Sequence, residues 1–391
     1  MKKVMTGNEA QAWGAKLSRT QVVAAYPITP QTVIVETISD FIARGEMEAK
    51  YLTVESEHSA MQACISASLA GARAYTATSS QGLLLMHELL HWAAGQRTPV
   101  AMGVVNRAVG PPWNIWVDHT DSMAQRDTNW IQIYAENNQE VLDMVIQGYR
   151  LGEDPDVSLP VMIMEDAFYL SHTAEPVDIP SQAQADDFLP PFQPRHALDV
   201  DEPMGFNVLA GPDLYEEFRF QLAEAMETAS NRVEEVDEAF GRTFERRWGG
   251  LTEWYRCGDA DVVLLALGTA VSTSRMVVDE LRESGIRAGL AKLRFFRPFP
   301  REQIRQLAQE TGILAVLDRS YTGTYGGPLY TEVSAAVQGL PTAPLIRGFY
   351  GGIGGRSLTP EAIRGCFEAA LRAEESGVAW ADLKPFEKVV S

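Results

Sequence analysis

Four short stretches carry side chains able to grip and polarise a small ligand. They are Ile28-Thr29, Glu55-Ser56-Glu57, Thr78-Ser79-Ser80-Gln81 and Asn106-Arg107. Each follows a short apolar run that reads as a β-strand: Val22-Val23-Ala24-Ala25-Tyr26, Tyr51-Leu52-Thr53-Val54, Ala74-Tyr75-Thr76-Ala77 and Val100-Ala101-Met102-Gly103-Val104-Val105. In an open α/β sheet, ligands bind at the carboxyl ends of the strands. One carboxylate, one cation and several hydroxyls are therefore expected at one rim. A helix beginning at Pro30 would add the partial positive charge of its amino terminus. Taken singly, each residue has a plain structural reading. Thr29 would cap its helix, Glu57 would be a favourable first-turn charge, and Arg107 would pair with a surface carboxylate.

A second pattern competes. His87-Glu88-Leu89-Leu90-His91 matches H-E-x-x-H, in which two histidines one helical turn apart could hold zinc with Glu88 as base. Its setting argues against a zinc peptidase. Gly82-Leu83-Leu84-Leu85-Met86 reads as the buried middle of a crossover helix, and Trp92-Ala93-Ala94-Gly95 lacks the extended metal-binding continuation. Asp118-His119-Thr120-Asp121 could ligate a metal, but a hydrogen-bonded loop is the simpler reading. Gly351-Gly352-Ile353-Gly354-Gly355 lacks G-x-G-x-x-G spacing, is not preceded by an expected strand, and reads as a tight turn. Trp113 and Trp116 flank a loop and could wall a pocket. Cys64 reads as inert core.

The elements that must position these groups follow from periodicity and punctuation. Asn8 is expected to cap a helix from Glu9 to about Ser18, with Gln11 at the capping-box position. Pro30 would open a second helix that ends before Gly45. Further helices are expected over 57–70 and 81–94 and near Ser122–Arg126, alternating with strands as in right-handed βαβ units. Seven prolines between 176 and 212 indicate an extended arm. Asp213 and Glu216 have capping-box spacing before a long amphipathic helix, whose stripe runs Leu214, Phe218, Leu222, Met226, Ala229, Val233, Val236 and Phe240. A second α/β domain follows, with strands at 262–267, 288–293 and 313–317. The expected division is 1–175, an arm and long helix over 176–258, and 259–391.

Composition sets the outer limits. The 391 residues carry 33 Lys and Arg against 52 Asp and Glu, a net charge of −19. That surface repels nucleic acid and anionic membranes. No run approaches the length of a membrane span, and no targeting segment is visible, so the expected place is the cytoplasm. Cys64, Cys257 and Cys366 are too few and too scattered for a disulfide framework or a four-cysteine cluster.

Several runs, in order, resemble the 2-oxoacid:ferredoxin oxidoreductases. They are Tyr26-Pro27-Ile28-Thr29-Pro30, Glu55-Ser56-Glu57-His58, Thr78-Ser79-Ser80-Gln81-Gly82-Leu83-Leu84-Leu85-Met86, Asn106-Arg107-Ala108, Pro111-Pro112-Trp113-Asn114-Ile115-Trp116, and Asp118-His119-Thr120-Asp121-Ser122. Leu293-Arg294-Phe295-Phe296-Arg297-Pro298-Phe299-Pro300 resembles the second domain of the same chains. The likeness covers nearly the whole length and is nearest to the alpha chains of the pyruvate type. It implies an α/β fold: a pyrimidine-binding parallel sheet for thiamine diphosphate, then a transketolase C-terminal-like domain. It implies an enzyme that decarboxylates pyruvate oxidatively and reversibly, giving CO2 and acetyl-coenzyme A and passing electrons to ferredoxin. Relatives act instead on 2-oxoglutarate or branched-chain 2-oxoacids.

By that resemblance Glu57 hydrogen-bonds N1′ of the aminopyrimidine and favours its 4′-imino tautomer. Arg107 and Thr29 bind the substrate carboxylate, a task suited to the planar guanidinium. Ile28, Thr29 and Gln81 would touch the cofactor, with Asp118 and His119 as neighbours. The beta subunit would share the thiamine diphosphate and hold Mg2+. The [4Fe-4S] clusters would lie in partner chains, with gamma and delta subunits completing the complex. No metal site is expected in this chain. A chain with the fold but only an assembly role is the remaining alternative.

Overall fold

The computed structural model describes residues 1–323 and 325–384. The chain divides into two compact units, Met1–Glu253 with Leu293–Pro300, and Trp254–Lys292 with Arg301–Ser391. Thr324 and 385–391, within the expected second domain, lie outside the described residues.

The first unit is built on a seven-stranded sheet. Its strands are β2 (Val22–Ala25), β3 (Lys50–Thr53), β4 (Ala74–Thr78), β5 (Ala101–Asn106), β6 (Ile131–Tyr134), β7 (Val161–Asp166) and β12 (Phe295–Arg297). Their order is β12-β6-β7-β5-β4-β2-β3. All neighbours are parallel except β12, which runs antiparallel to β6. β4 through β7 are buried on both faces, which explains their continuous apolar runs. Chain order reverses between β2 and β4, so a crevice opens at their carboxyl ends. A small antiparallel pair, β1 (Lys2–Met5) with β8 (Glu175–Asp178), completes the unit.

Helix starts differ from the sequence expectations. α1 (Gly7–Leu17) is capped by Thr6, whose side chain and that of Glu9 form a capping box. Asn8 and Gln11 are buried instead and brace the sheet. Asn8 Nδ2 donates to the Pro30 carbonyl at 2.8 Å, and Gln11 Nε2 to that of Ile163 at 3.1 Å. α2 (Thr32–Ala43) begins two residues after Pro30 and has no side-chain cap, because the Thr29-Pro30 turn comes first. α3 (Glu57–Leu69) starts as expected, with Ser56 accepting the Ser59 N–H. The expected helix over 81–94 is two helices, α4 (Ser80–Leu85) and α5 (His87–Gly95), separated at Met86. The helix expected near Ser122–Arg126 is the short α6 (Thr120–Met123), which begins and ends earlier, followed in order by α7 (Asn138–Gly152).

Within the proline-rich arm, residues 182–188 form α8 (Gln182–Phe188) behind a Ser181–Gln184 capping box. The arm beyond it follows the first unit: Arg73 Nη2 reaches the Pro190 carbonyl and the Leu198 N–H that of Leu69. α9 (Tyr215–Phe244) lacks the expected side-chain cap from Asp213. Its stripe buries Leu222, Ala229, Val233 and Phe240, whereas Leu214 and Phe218 are exposed.

The second unit carries a six-stranded sheet in the order β15-β14-β13-β10-β11-β9. These are β9 (Thr252–Tyr255), β10 (Val262–Ala266), β11 (Ala288–Leu293), β13 (Ile313–Asp318), β14 (Leu345–Tyr350) and β15 (Gly377–Trp380). Its helices are α10 (Ala270–Glu283), α11 (Arg301–Glu310), α12 (Pro328–Ala336) and α13 (Pro360–Leu371). The pairs from β11 through β15 are parallel. The Gly351–Gly355 run follows β14 directly, contrary to the sequence expectation. Gly352 has φ +71°, and a Cβ there would lie 2.9 Å from Arg319 Nε, so packing requires glycine. No helix among the described residues is long and apolar enough to cross a membrane.

Candidate active site

The crevice is assembled by four strand ends. After β2 the chain turns through Ile28 and Thr29 into a cis Thr29-Pro30 bond. Gln31 Nε2 donates to the Tyr26 carbonyl at 2.9 Å, which holds this turn from within. Ile28 is half-buried, and Thr29 is exposed. After β4, Ser79 Oγ donates to the Val105 carbonyl at 2.7 Å. Ser80 sits at φ +50°, a left-handed conformation that non-glycine residues rarely take. Its hydroxyl lies 2.5 Å from Gln81 Oε1, and Gln81 itself is exposed.

Glu57 heads α3 and is 6% exposed. No described residue offers its carboxylate a hydrogen bond or a cation. Glu55, by contrast, is exposed and takes the Ser59 hydroxyl. The approach of Glu57 to α4 depends on Gly82. A Cβ at Gly82 would fall 2.6 Å from Glu57 Oε1 and 2.5 Å from Thr78 Oγ1. The Thr78 hydroxyl is likewise buried without a partner among the described residues. Burying a carboxylate without a donor is costly, so this placement suits a ligand that brings its own N–H. A protonated ring nitrogen of an aminopyrimidine is such a donor, and Glu57 therefore fits the group expected from the sequence.

Arg107 is buried at the end of β5. Its Nη1 donates to the Thr29 carbonyl at 2.7 Å, joining two of the expected site residues. Nε points to the Asn114 carbonyl at 3.4 Å, and the guanidinium lies 5.9 Å from the Trp113 ring centre. Nη2 has no partner among the described residues. Burial pulls the guanidinium pKa down, and nearby Asp121 pushes it back up. Trp113 is 75% exposed, so it covers the arginine from outside and is not core.

Other sequence candidates go elsewhere. His119 is 1% exposed, and its Nε2 pairs with Asp166 Oδ1 at 2.7 Å, which puts it in the core. Asp118 accepts the Thr120 N–H at 2.7 Å, a local turn. His87, Glu88 and His91 are all exposed, and of the run expected to be buried before them Leu83 and Met86 are buried but Leu85 is exposed. His87 Nδ1 meets Gln125 Oε1 at 2.5 Å, and the two rings stand edge to face, 5.1 Å apart. No group of three His, Cys, Asp or Glu among the described residues is arranged to hold a metal ion. The three cysteines are buried and free, and burial pushes the Cys64 thiol up to about 12.

Two residues that sequence reasoning named only within longer runs shape the site. One is Gly82, whose missing side chain admits Glu57. The other is Asp121, a buried carboxylate behind the rim that accepts the Arg107 N–H at 3.0 Å. Burial raises its pKa to about 6, against four hydrogen bonds that lower it. The only sequence signal was its membership of a loop rich in side chains able to accept hydrogen bonds.

A parallel sheet with a reversal of strand order, where a buried carboxylate and a tethered arginine sit, defines a doubly wound α/β domain. Comparison with known proteins sharpens this. Residues 13–238 match the family described as "Pyruvate flavodoxin/ferredoxin oxidoreductase, thiamine diP-bdg". Residues 260–363 match "Pyruvate:ferredoxin oxidoreductase core domain II". The chain is 48% identical over 384 residues to pyruvate synthase subunit PorA of Methanothermobacter thermautotrophicus, covering 98% of each. It is 46% identical over 390 residues to ketoisovalerate oxidoreductase subunit VorA of Pyrococcus horikoshii, again covering 98% of each. A solved 2-oxoglutarate:ferredoxin oxidoreductase from Magnetococcus marinus shares the fold. Its TM-score is 0.73 at 19% identity, covering 95% of this chain and 65% of that one. The chain belongs to the pyruvate flavodoxin/ferredoxin oxidoreductase family, and its first unit carries that family's thiamine-diphosphate-binding α/β domain.

Proposed function

We propose that this chain is the alpha subunit of a coenzyme A-dependent 2-oxoacid:ferredoxin oxidoreductase acting on pyruvate. The observation that carries the reading is Glu57: a buried carboxylate with no donor among the described residues, at the switch point of a thiamine-binding family domain. Residues 1–175 supply the aminopyrimidine half of the cofactor site. Thiamine diphosphate, when bound, supplies the carbon nucleophile for decarboxylating a 2-oxoacid. Glu57 holds the proton at N1′ and so sets the basicity of the exocyclic amine. Arg107, with Nη1 committed to Thr29, offers Nη2 to the substrate carboxylate, and the Thr29 hydroxyl offers a second hydrogen bond. Ile28 and Gln81 would contact the cofactor, and Trp113 shields the guanidinium from water.

The partners are those the family resemblance implies. A beta subunit holds the diphosphate and Mg2+, and [4Fe-4S] clusters in partner chains, with gamma and delta subunits, carry electrons to ferredoxin. Among the described residues, three buried thiols with raised pKa values offer no cluster ligands, which supports this division. Those thiols also suit a reducing cytoplasm. A branched-chain 2-oxoacid is the second reading. It is favoured by the 46% identity to a ketoisovalerate-named subunit, close to the 48% for a pyruvate-named one.

The test is to purify the native complex and assay a panel of 2-oxoacids with coenzyme A and a viologen dye. Pyruvate is expected to give the highest kcat/KM, and a higher value for 2-oxoisovalerate moves the assignment to the branched-chain class. Glu57→Gln is expected to lower the rate by at least about a hundredfold. A Glu57→Gln enzyme at full rate overturns the cofactor reading.

A further inference from the structure

Asp121 lies on α6, fully buried behind the rim. Its carboxylate accepts four N–H donors. Oδ2 takes the backbone N–H of Ser80 at 2.9 Å and that of Arg107 at 3.0 Å. Oδ1 takes Asn106 Nδ2 at 2.8 Å and the Ser122 N–H at 2.8 Å. One oxygen thus clamps the turn after β4 to the turn after β5. Ser80 needs that clamp, because its left-handed backbone persists only where the surroundings over-determine it. The Ser80 hydroxyl adds a link, 2.5 Å from the Ala108 carbonyl. The anchor is itself braced: Asn106 Nδ2 also reaches Ser122 Oγ at 2.7 Å, and Ser122 Oγ meets Tyr134 OH at 2.8 Å. Four converging donors call for an acceptor-only group. An amide would turn its own N–H groups toward two of them.

We propose that Asp121 is a positioning residue for substrate recognition: by clamping the Arg107 and Ser80 backbones it aims the Arg107 guanidinium at the 2-oxoacid carboxylate. The proposal rests on the reading of Arg107 given above. It assigns Asp121 no contact with substrate or cofactor. Its effect therefore passes through Arg107 and appears in substrate affinity. A purely structural carboxylate would instead lower stability and rate together.

The experiment is a double-mutant cycle in the assembled complex, with pyruvate, coenzyme A and a viologen dye. The variants are Asp121→Asn, Arg107→Ala and the pair. Asp121→Asn is expected to raise KM for pyruvate about tenfold or more, as loss of a well-aimed charge-assisted contact does, while kcat falls no more than about threefold. Added to Arg107→Ala, it should raise KM by less than about twofold, because the group it aims is gone. If the two effects multiply fully, or if Asp121→Asn leaves KM unchanged beside a raised KM in Arg107→Ala, the proposal is overturned. If Arg107→Ala itself leaves KM unchanged, the Arg107 reading falls instead. Should the Asn variant fail to assemble, Asn106→Ala runs the same cycle. It removes the Asn106 bond that orients the Asp121 carboxylate, so Oδ2 loses its aim at the Arg107 N–H, and it is expected to raise KM about threefold. An unchanged KM there overturns the proposal.

Discussion

At the residue scale, the site depends on an absent side chain as much as on those present. Glu57 reaches its place because Gly82 leaves room for its Oε1, and an added Cβ would sit 2.6 Å away. Gly82→Ala should therefore displace the carboxylate. The expected result is an affinity for thiamine diphosphate about tenfold weaker, read by titrating cofactor into depleted complex. Alanine within α4 would favour the helix by roughly 1 kcal/mol, so a loss cannot come from a weaker helix. Glu57, Arg107 and Thr29 were legible as chemistry because their types and their positions after strands agree. Gly82 was legible only as part of a familiar run, since close approach between two helices leaves no local trace. The role of Asp121 was hidden similarly, because three of its four donors come from the start of α4 and the end of β5, distant in sequence.

At the element scale, the strands were read more reliably than the helix starts. An apolar run declares itself in a few residues, but a cap depends on which polar side chain stays at the surface. Asn8 and Gln11 look like capping residues and are consumed by the core, leaving Thr6 and Glu9 to cap. In the second unit a capping carboxylate comes from another element. Asp318, at the end of β13, accepts the Leu329 and Tyr330 N–H groups of α12 at 2.9 and 3.0 Å. Burial raises its pKa to about 7 despite those bonds. A carboxyl with a raised folded pKa contributes most below its unfolded value and loses that contribution as pH rises through the folded one. Relative to Asp318→Asn, the parent should lose thermal stability as pH rises from about 4 to about 7 and change little above that. Paired melting curves across that range measure it, and a parallel pair would refute the assignment.

At the scale of the whole molecule, the chain leaves its first unit at residue 253 and returns to it at 293–300. The resemblance placed that returning run in the second domain; by packing it belongs to the first unit. Arg294 explains why. It is fully buried, with Nε 3.1 Å from Glu140 Oε1 and Nη2 3.0 Å from Met144 Sδ, and Nη1 donates to the Gly250 carbonyl. β12 then pairs with β6 at the sheet edge. Removing one partner of a buried ion pair leaves the other charge uncompensated. Arg294→Met should therefore destabilise the first unit by about 3–5 kcal/mol, seen as a lower thermal midpoint. An unchanged midpoint would mean that β12 and not the ion pair secures the return.

The sequence by itself determined the α/β class, the strands that end at the rim, the carboxylate and the cation there, and the family. These follow from periodicity and from motifs that are continuous in the chain. The tertiary structure alone decided which polar residues the core consumes, why Glu57 stands without a donor among the described residues, how Arg107 is tied to Thr29, and what Asp121 holds together. Each of those depends on groups distant in sequence meeting at a few ångströms. Burial then sets their cost, and no local pattern records it.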